Sequence, residues 1–97
     1  MSIDILFHVS HRGAGRYLFP LIAAARRRGA SVACFFTYDG VLVAADPRLK
    51  EVLGDARAVV CEESWHRFRP GEPCPVEAGS QTVNSALMAE ATRVVSL

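Results

Sequence analysis

The reactive side chains that draw attention in this 97-residue chain are Cys61, His66 and Arg12. Cys61 closes an apolar run, Ala58-Val59-Val60-Cys61, and a thiolate at the end of a strand can serve as a nucleophile. The start of a helix after that strand would lower its pKa. Glu62 and Glu63 beside it would raise the pKa unless they point away, or unless Arg12 or His66 offsets them. His11 and His66 can both approach the same edge, and a Cys–His pair is an activated nucleophile. Together with Cys74 they do not match a metal-ligand spacing, so no metal is expected. The competing reading of Cys61 is a buried thiol packed as a small hydrophobe. Cys34, between Ala33 and Phe35, is expected in the core. Cys74 lies between two prolines and is either a second exposed thiol that resolves a disulfide with Cys61 or a plain loop residue.

A second group could hold an anion. Ser10-His11-Arg12-Gly13-Ala14-Gly15 combines glycines that allow close backbone approach, a following helix start and a guanidinium. It is neither a P-loop nor G-x-G-x-x-G, since Leu18 stands where the third glycine belongs. An ordinary strand-to-helix turn has the same look. The ligand-binding candidates are Ser10, His11, Gly13 and Gly15, with Tyr38 and Asp39 from the turn Thr37–Gly40. Gly79-Ser80-Gln81-Thr82 needs no ligand, because Ser80 serves as an N-cap. Trp65 is expected at an oligomer interface and His8 in the core.

These residues depend on the elements that position them. Ile3–Val9, Ser31–Phe36 and Ala58–Cys61 have the length and content of buried strands. Between the first two, Tyr17, Leu18, Leu21, Ile22 and Ala25 are spaced for one helix face. Pro20 suggests that the regular helix begins near it, and Gly29 ends it. Val41–Ala45 reads as a short helix. Asp46 is the N-cap and Pro47 the first residue of the next, with Leu49, Val52 and Leu53 inward and Gly54 after it. Pro70, Pro73 and Pro75 leave little room for a regular fourth strand, of which Val76-Glu77 is a remnant. A last helix would carry Val83, Ala86, Leu87 and Glu90 on one face, mostly apolar, and Thr92–Leu97 is a final strand. Strand–helix alternation of this kind implies a parallel sheet covered on both sides, with ligands beyond the strands' carboxyl ends.

Composition narrows the classes. The chain is 10.5 kDa and 51% apolar, enough for one domain over residues 1–97. Its net charge of +1 is no footprint for nucleic acid. Asp4 interrupts the first apolar run without a basic leader, so no secretory signal is expected. The longest uncharged run, Ala78 to Ala89, is too short and too polar to span a bilayer, so no membrane partner is expected. Three cysteines without a C-x-x-C pair fit a reducing, cytoplasmic setting.

The segments together resemble the DsrE-like family of small sulfur-relay proteins, which includes YchN-like and TusD-like members. The resemblance rests on the strand Ile3–Val9, the helix ending Ala23-Ala24-Ala25…Gly29, and Val32-Ala33-Cys34-Phe35-Phe36-Thr37-Tyr38-Asp39-Gly40-Val41. It also rests on the strand ending Val59-Val60-Cys61 and on the close Ala89-Glu90-Ala91-Thr92-Arg93-Val94-Val95-Ser96-Leu97. It implies a three-layer α/β/α domain with a mostly parallel sheet of four or five strands, the last beside the first. It implies a homo-oligomer, a trimer or hexamer. By the same resemblance, Cys61 would carry a persulfide between a sulfur donor protein and an acceptor protein, steadied by Arg12 and His66, with no cofactor. A non-catalytic module of the same fold, holding a small anion or nucleotide or serving assembly, is the alternative.

Overall fold

Mostly apolar runs become strands when both of their faces are covered. Three such runs form β1 (Ile3–Val9), β2 (Val32–Phe36) and β3 (Arg57–Cys61) in the computed structural model, which describes residues 2–97. β4 (Glu77–Gly79) and β5 (Ala91–Ser96) complete one sheet in the order β4-β3-β2-β1-β5. Every neighbouring pair is parallel. The last strand lies beside the first, with Phe7 level with Cys34 on one side and Val95 on the other.

Successive residues of the strands feed opposite faces. Phe7, Val9, Val32, Cys34, Phe36 and Val60 pack under α1 (Gly15–Arg27), α2 (Val41–Ala44), α3 (Arg48–Leu53) and Trp65 of α4 (Glu62–Phe68). Leu6, Ala33, Phe35, Val59 and Cys61 face the other way and meet Leu87 of α5 (Gln81–Glu90). Parallel neighbours need a crossover, and most crossovers here use the first face. α5 is the exception: it carries the chain from β4 at one edge to β5 at the other, across the second face.

Several local expectations change. α1 starts at Gly15 rather than near Pro20, preceded by a 3₁₀ turn, Arg12–Ala14. A mid-helix proline costs about 3 kcal/mol. Leu18, Phe19 and Ile22 on this helix are buried, each worth about 1.5–3 kcal/mol, so burial prevails and Pro20 faces solvent. With Phe19 in the core, the buried stripe rotates away from Tyr17 and Leu21, which are exposed. Asp46 still caps α3, its carboxylate accepting from the Arg48 N–H at 2.9 Å, but the helix begins at Arg48. On α5 the inward face is Val83, Asn84 and Leu87, and Ala86 and Glu90 are exposed. The segment between Cys61 and Gly79 holds both a helix and a strand, because its prolines fall in the loop between them. Val59 to Cys61 pair with Glu77 to Gly79. Trp65 pins that loop from inside by donating Nε1–H to the Glu72 carbonyl at 2.9 Å. It is buried within the chain rather than displayed at an interface. Among the described residues, no helix is long and apolar enough to cross a membrane.

Two glycines act through geometry. Gly29 takes φ +78° at the end of α1, where the Ala30 N–H reaches back to the Ala25 carbonyl at 3.0 Å. Gly40 lies so close to β1 that a Cβ there would sit 2.3 Å from the Val9 carbonyl oxygen. That neighbour is backbone and cannot turn aside. Gly40→Ala is therefore expected to destabilise the protein by about 1–3 kcal/mol. A lower urea midpoint at unchanged slope would show it, and an unchanged midpoint would contradict the close approach.

Candidate functional site

The carboxyl edge of the sheet gathers four chain segments. β1 runs into the turn at Ser10–Ala14, β2 into the 3₁₀ turn Tyr38–Gly40, β3 into α4, and β4 into the start of α5. Thr37 is fixed where β2 ends, donating its N–H to the Val9 carbonyl at 2.9 Å. Cys61 is the last residue of β3, level with Gly79 of β4. Its side chain belongs to the cluster on the α5 face, and the residue is 6% exposed.

Two effects act on the Cys61 thiol. Burial, the larger single one, pushes its pKa up. Hydrogen bonds from the Ser64 hydroxyl, the backbone N–H groups of Ser64 and Glu63, and the Thr37 hydroxyl together outweigh it and hold the thiol below its ordinary value. Cys34 provides the contrast: in mid-strand, with no such donors, burial pushes its thiol up to about 12. The surroundings thus favour the thiolate at Cys61 and oppose it at Cys34.

Ser64 can donate because its oxygen is already used as an acceptor. The Tyr38 N–H donates to Ser64 Oγ at 2.9 Å, which frees the hydroxyl proton for sulfur. Tyr38 adopts φ +53°, the left-handed region that a non-glycine residue enters at a cost of about 1–2 kcal/mol. The strain sits at the segment that orders Ser64. The Tyr38 ring is exposed and meets Phe68 edge-on at 5.6 Å, with the Arg67 guanidinium 6.0 Å from its centre.

The structure distributes the residues singled out from sequence as follows. Arg12 Nε donates to Asp39 Oδ2 at 3.0 Å, joining the first two loops. His11 Nδ1 accepts from the Gly13 N–H at 2.9 Å and so caps its own turn. The Ser10 N–H donates to the Leu97 carbonyl, and the Ala14 N–H to the His11 carbonyl. Those donors of the anion cradle are engaged within the chain. Gly15 is buried under Phe19 as the first residue of α1. His66 stands exposed on α4. Neither it nor Arg12 is among the groups that lower the Cys61 pKa. Cys74 packs against the opposite face of the sheet from Cys61, and all three cysteines are free. Among the described residues, no three His, Cys, Asp or Glu side chains gather as a metal site requires. His8 is half-buried and stacked on Phe35, and burial lowers its pKa.

Sequence reasoning passed over Ser64 and Thr37. The signal for Ser64 was its place three residues after a strand-end cysteine, in the first turn of the next helix. Thr37 carried no signal, since its role comes from β2 lying beside β3. A cavity of about 480 Å³ lies at the other end of the sheet, lined by Ile3, Arg26, Ser31, Ala33, Arg57 and Glu90. It takes no part in the chemistry of Cys61.

No family model matches the sequence, and no curated protein matches it significantly. Among solved structures, the chain is similar to the crystal structure of the YchN protein from E. coli. The TM-score is 0.78, all of both chains is covered, and 14% of residues are identical. The chain has the YchN fold. YchN is a DsrE-like protein, so the resemblance read from short motifs holds at the level of architecture. Within the YchN fold, the chemistry of this chain rests on its own residues.

The site predicts a pH profile. In a Cys74→Ser background, Cys61 alkylation should reach half its maximal rate below the ordinary thiol pKa, because a lowered pKa enlarges the thiolate fraction at neutral pH. Ser64→Ala should move that midpoint up by roughly one unit, a tenfold loss of thiolate below it. A midpoint that Ser64→Ala leaves in place would contradict the hydroxyl's role.

Proposed function

We propose that this chain relays sulfane sulfur, with Cys61 as the carrier. The observation that supports the reading is the convergence of hydroxyl and backbone donors on a thiol at the sheet's carboxyl edge, which favours the thiolate despite burial.

The Cys61 thiolate attacks the outer sulfur of a donor protein's persulfide. A new S–S bond forms at Cys61, the donor's S–S bond breaks, and the donor departs as a thiolate. Cys61 then holds the sulfane sulfur as its own persulfide. In the second half, an acceptor thiolate attacks that outer sulfur and Cys61 leaves as the thiolate. The four donors that stabilise this leaving group make the second step easier as well as the first. Sulfur crosses without net oxidation or reduction, so no cofactor is needed. Arg12, paired to Asp39, and exposed His66 stand on the same edge and would meet the partner rather than the thiol. Tyr38, Phe68 and Arg67 offer that partner an aromatic and cationic surface. Three free cysteines accord with a reducing, cytoplasmic setting.

The reading includes a homo-oligomer. α5 alone covers the second face of the sheet, and of its exposed residues only Glu90, at its end, is charged. Val94 on neighbouring β5 is exposed beside them. A second copy would cover this face, and the protein should elute larger than a monomer at micromolar concentration. Elution as a monomer would refute the assembly.

The relay is tested by incubation with a sulfane-sulfur donor followed by intact mass measurement. The wild type should gain one sulfur and Cys61→Ser should not. No gain, or an equal gain by both, would overturn the role of Cys61.

A further inference from the structure

Thr37 follows Phe36, which is level with Val60 of β3, so it stands beside Cys61 on the face that α5 covers, and its hydroxyl is one of the donors that hold the thiol's pKa down. A threonine hydroxyl has one proton and two lone pairs, and it turns freely to suit its neighbours. Whether it donates to sulfur or accepts elsewhere depends on what else touches its oxygen. Gln81, the first residue of α5, donates Nε2–H to Thr37 Oγ1 at 3.4 Å. With an N–H delivered to that oxygen, the Thr37 proton is left to point at the sulfur.

Gln81 is itself held. Asn84, one turn further along α5, donates Nδ2–H to Gln81 Oε1 at 3.3 Å. Asn84 is buried, and its Oδ1 has no partner. A buried amide oxygen left unpaired is unfavourable, so the position is maintained against a cost. Turning the Asn84 amide over would set its oxygen against Gln81 Oε1. Gln81 would then have to turn as well, placing Oε1 against Thr37 and drawing the Thr37 proton away from sulfur. The orientation of one buried amide thus passes through Gln81 to the thiol.

We infer that Gln81, oriented by Asn84, is a positioning residue that sets the Thr37 hydroxyl to donate to the Cys61 thiolate. The start of α5 thereby controls how much of the nucleophile is ionised. The inference rests on the reading of Cys61 as the sulfur carrier, but its test does not require sulfur transfer.

The test is a double-mutant cycle read as the pH midpoint of Cys61 alkylation, in the Cys74→Ser background. Gln81 is exposed, so its variants should fold. Thr37→Val and Gln81→Leu should each raise the midpoint, by up to roughly one unit. Gln81→Leu should add nothing once Thr37 is Val. Gln81→Glu should raise the midpoint further than Gln81→Leu, because its carboxylate both accepts the Thr37 proton and adds negative charge. A midpoint unmoved by Gln81→Leu, or a shift that persists undiminished in Thr37→Val, would overturn the positioning role. Intact mass after exposure to a sulfane-sulfur donor is measured in parallel. If the parent takes up no sulfur while the cycle holds, the relay reading falls and the positioning role stands. If sulfur loads at Cys61 and the cycle fails, the reverse is true.

Discussion

A strand buried on both faces cannot turn its N–H and C=O groups to water, so neighbouring strands must pair them. β2 is in that position along its whole length, from Val32 to Phe36. It needs β1 on one side and β3 on the other, and it needs helices above and below. Parallel pairing then follows from the crossovers that supply those helices, and parallel pairing sends the strand ends to one edge. The meeting of Thr37, Cys61 and the start of α5 is a consequence of how β2 is buried.

The same constraint explains why one thiol is held below its ordinary pKa and another above it. Cys34 and Cys61 both lie on strands of this sheet and are both buried by exposure. Cys34 is in the middle of β2, where every backbone N–H nearby is committed to the ladder. Cys61 is at the end of β3, where the ladder stops and the chain turns into α4. There the N–H groups of Glu63 and Ser64 have no strand partner and are available to sulfur. The end of a ladder leaves donors unpaired, and this chain directs them at a thiol. The carboxylates of Glu62 and Glu63, expected to oppose the thiolate, are not among the groups that act on it, and the backbone at 63 contributes an N–H.

Much of the architecture was legible in the sequence because burial on two faces leaves mostly apolar runs. Ile3–Val9, Val32–Phe36 and Val59-Val60-Cys61 could hardly be anything else, and Gly29 and Asp46 mark helix ends with their own chemistry. The misreadings share a cause. Tyr17 and Leu21 have the right spacing for a buried stripe, but Phe19 competes for the same core, and only packing decides which face turns inward. Trp65 looks like an interface residue until Glu72 is found bonded to its indole. β4 is only Glu77–Gly79, too short to show a pattern of its own, and it exists because β3 presents an unpaired edge.

By itself the sequence determined the three central strands, their parallel arrangement, and Cys61 as a thiol at a strand end. These follow from local composition and from the rule that two-sided burial demands apolar runs. Only the tertiary structure decided what surrounds that thiol. Ser64 lies close in the chain, but Tyr38, Thr37, Gln81 and Asn84 come from other segments, and no spacing links them. Arg12, a cation that seemed suited to the thiolate, is turned to Asp39 instead. Hydrogen bonds of this kind act over about 3 Å between groups many residues apart. They come into being when strand register sets one turn beside another, and a linear pattern carries no record of that register.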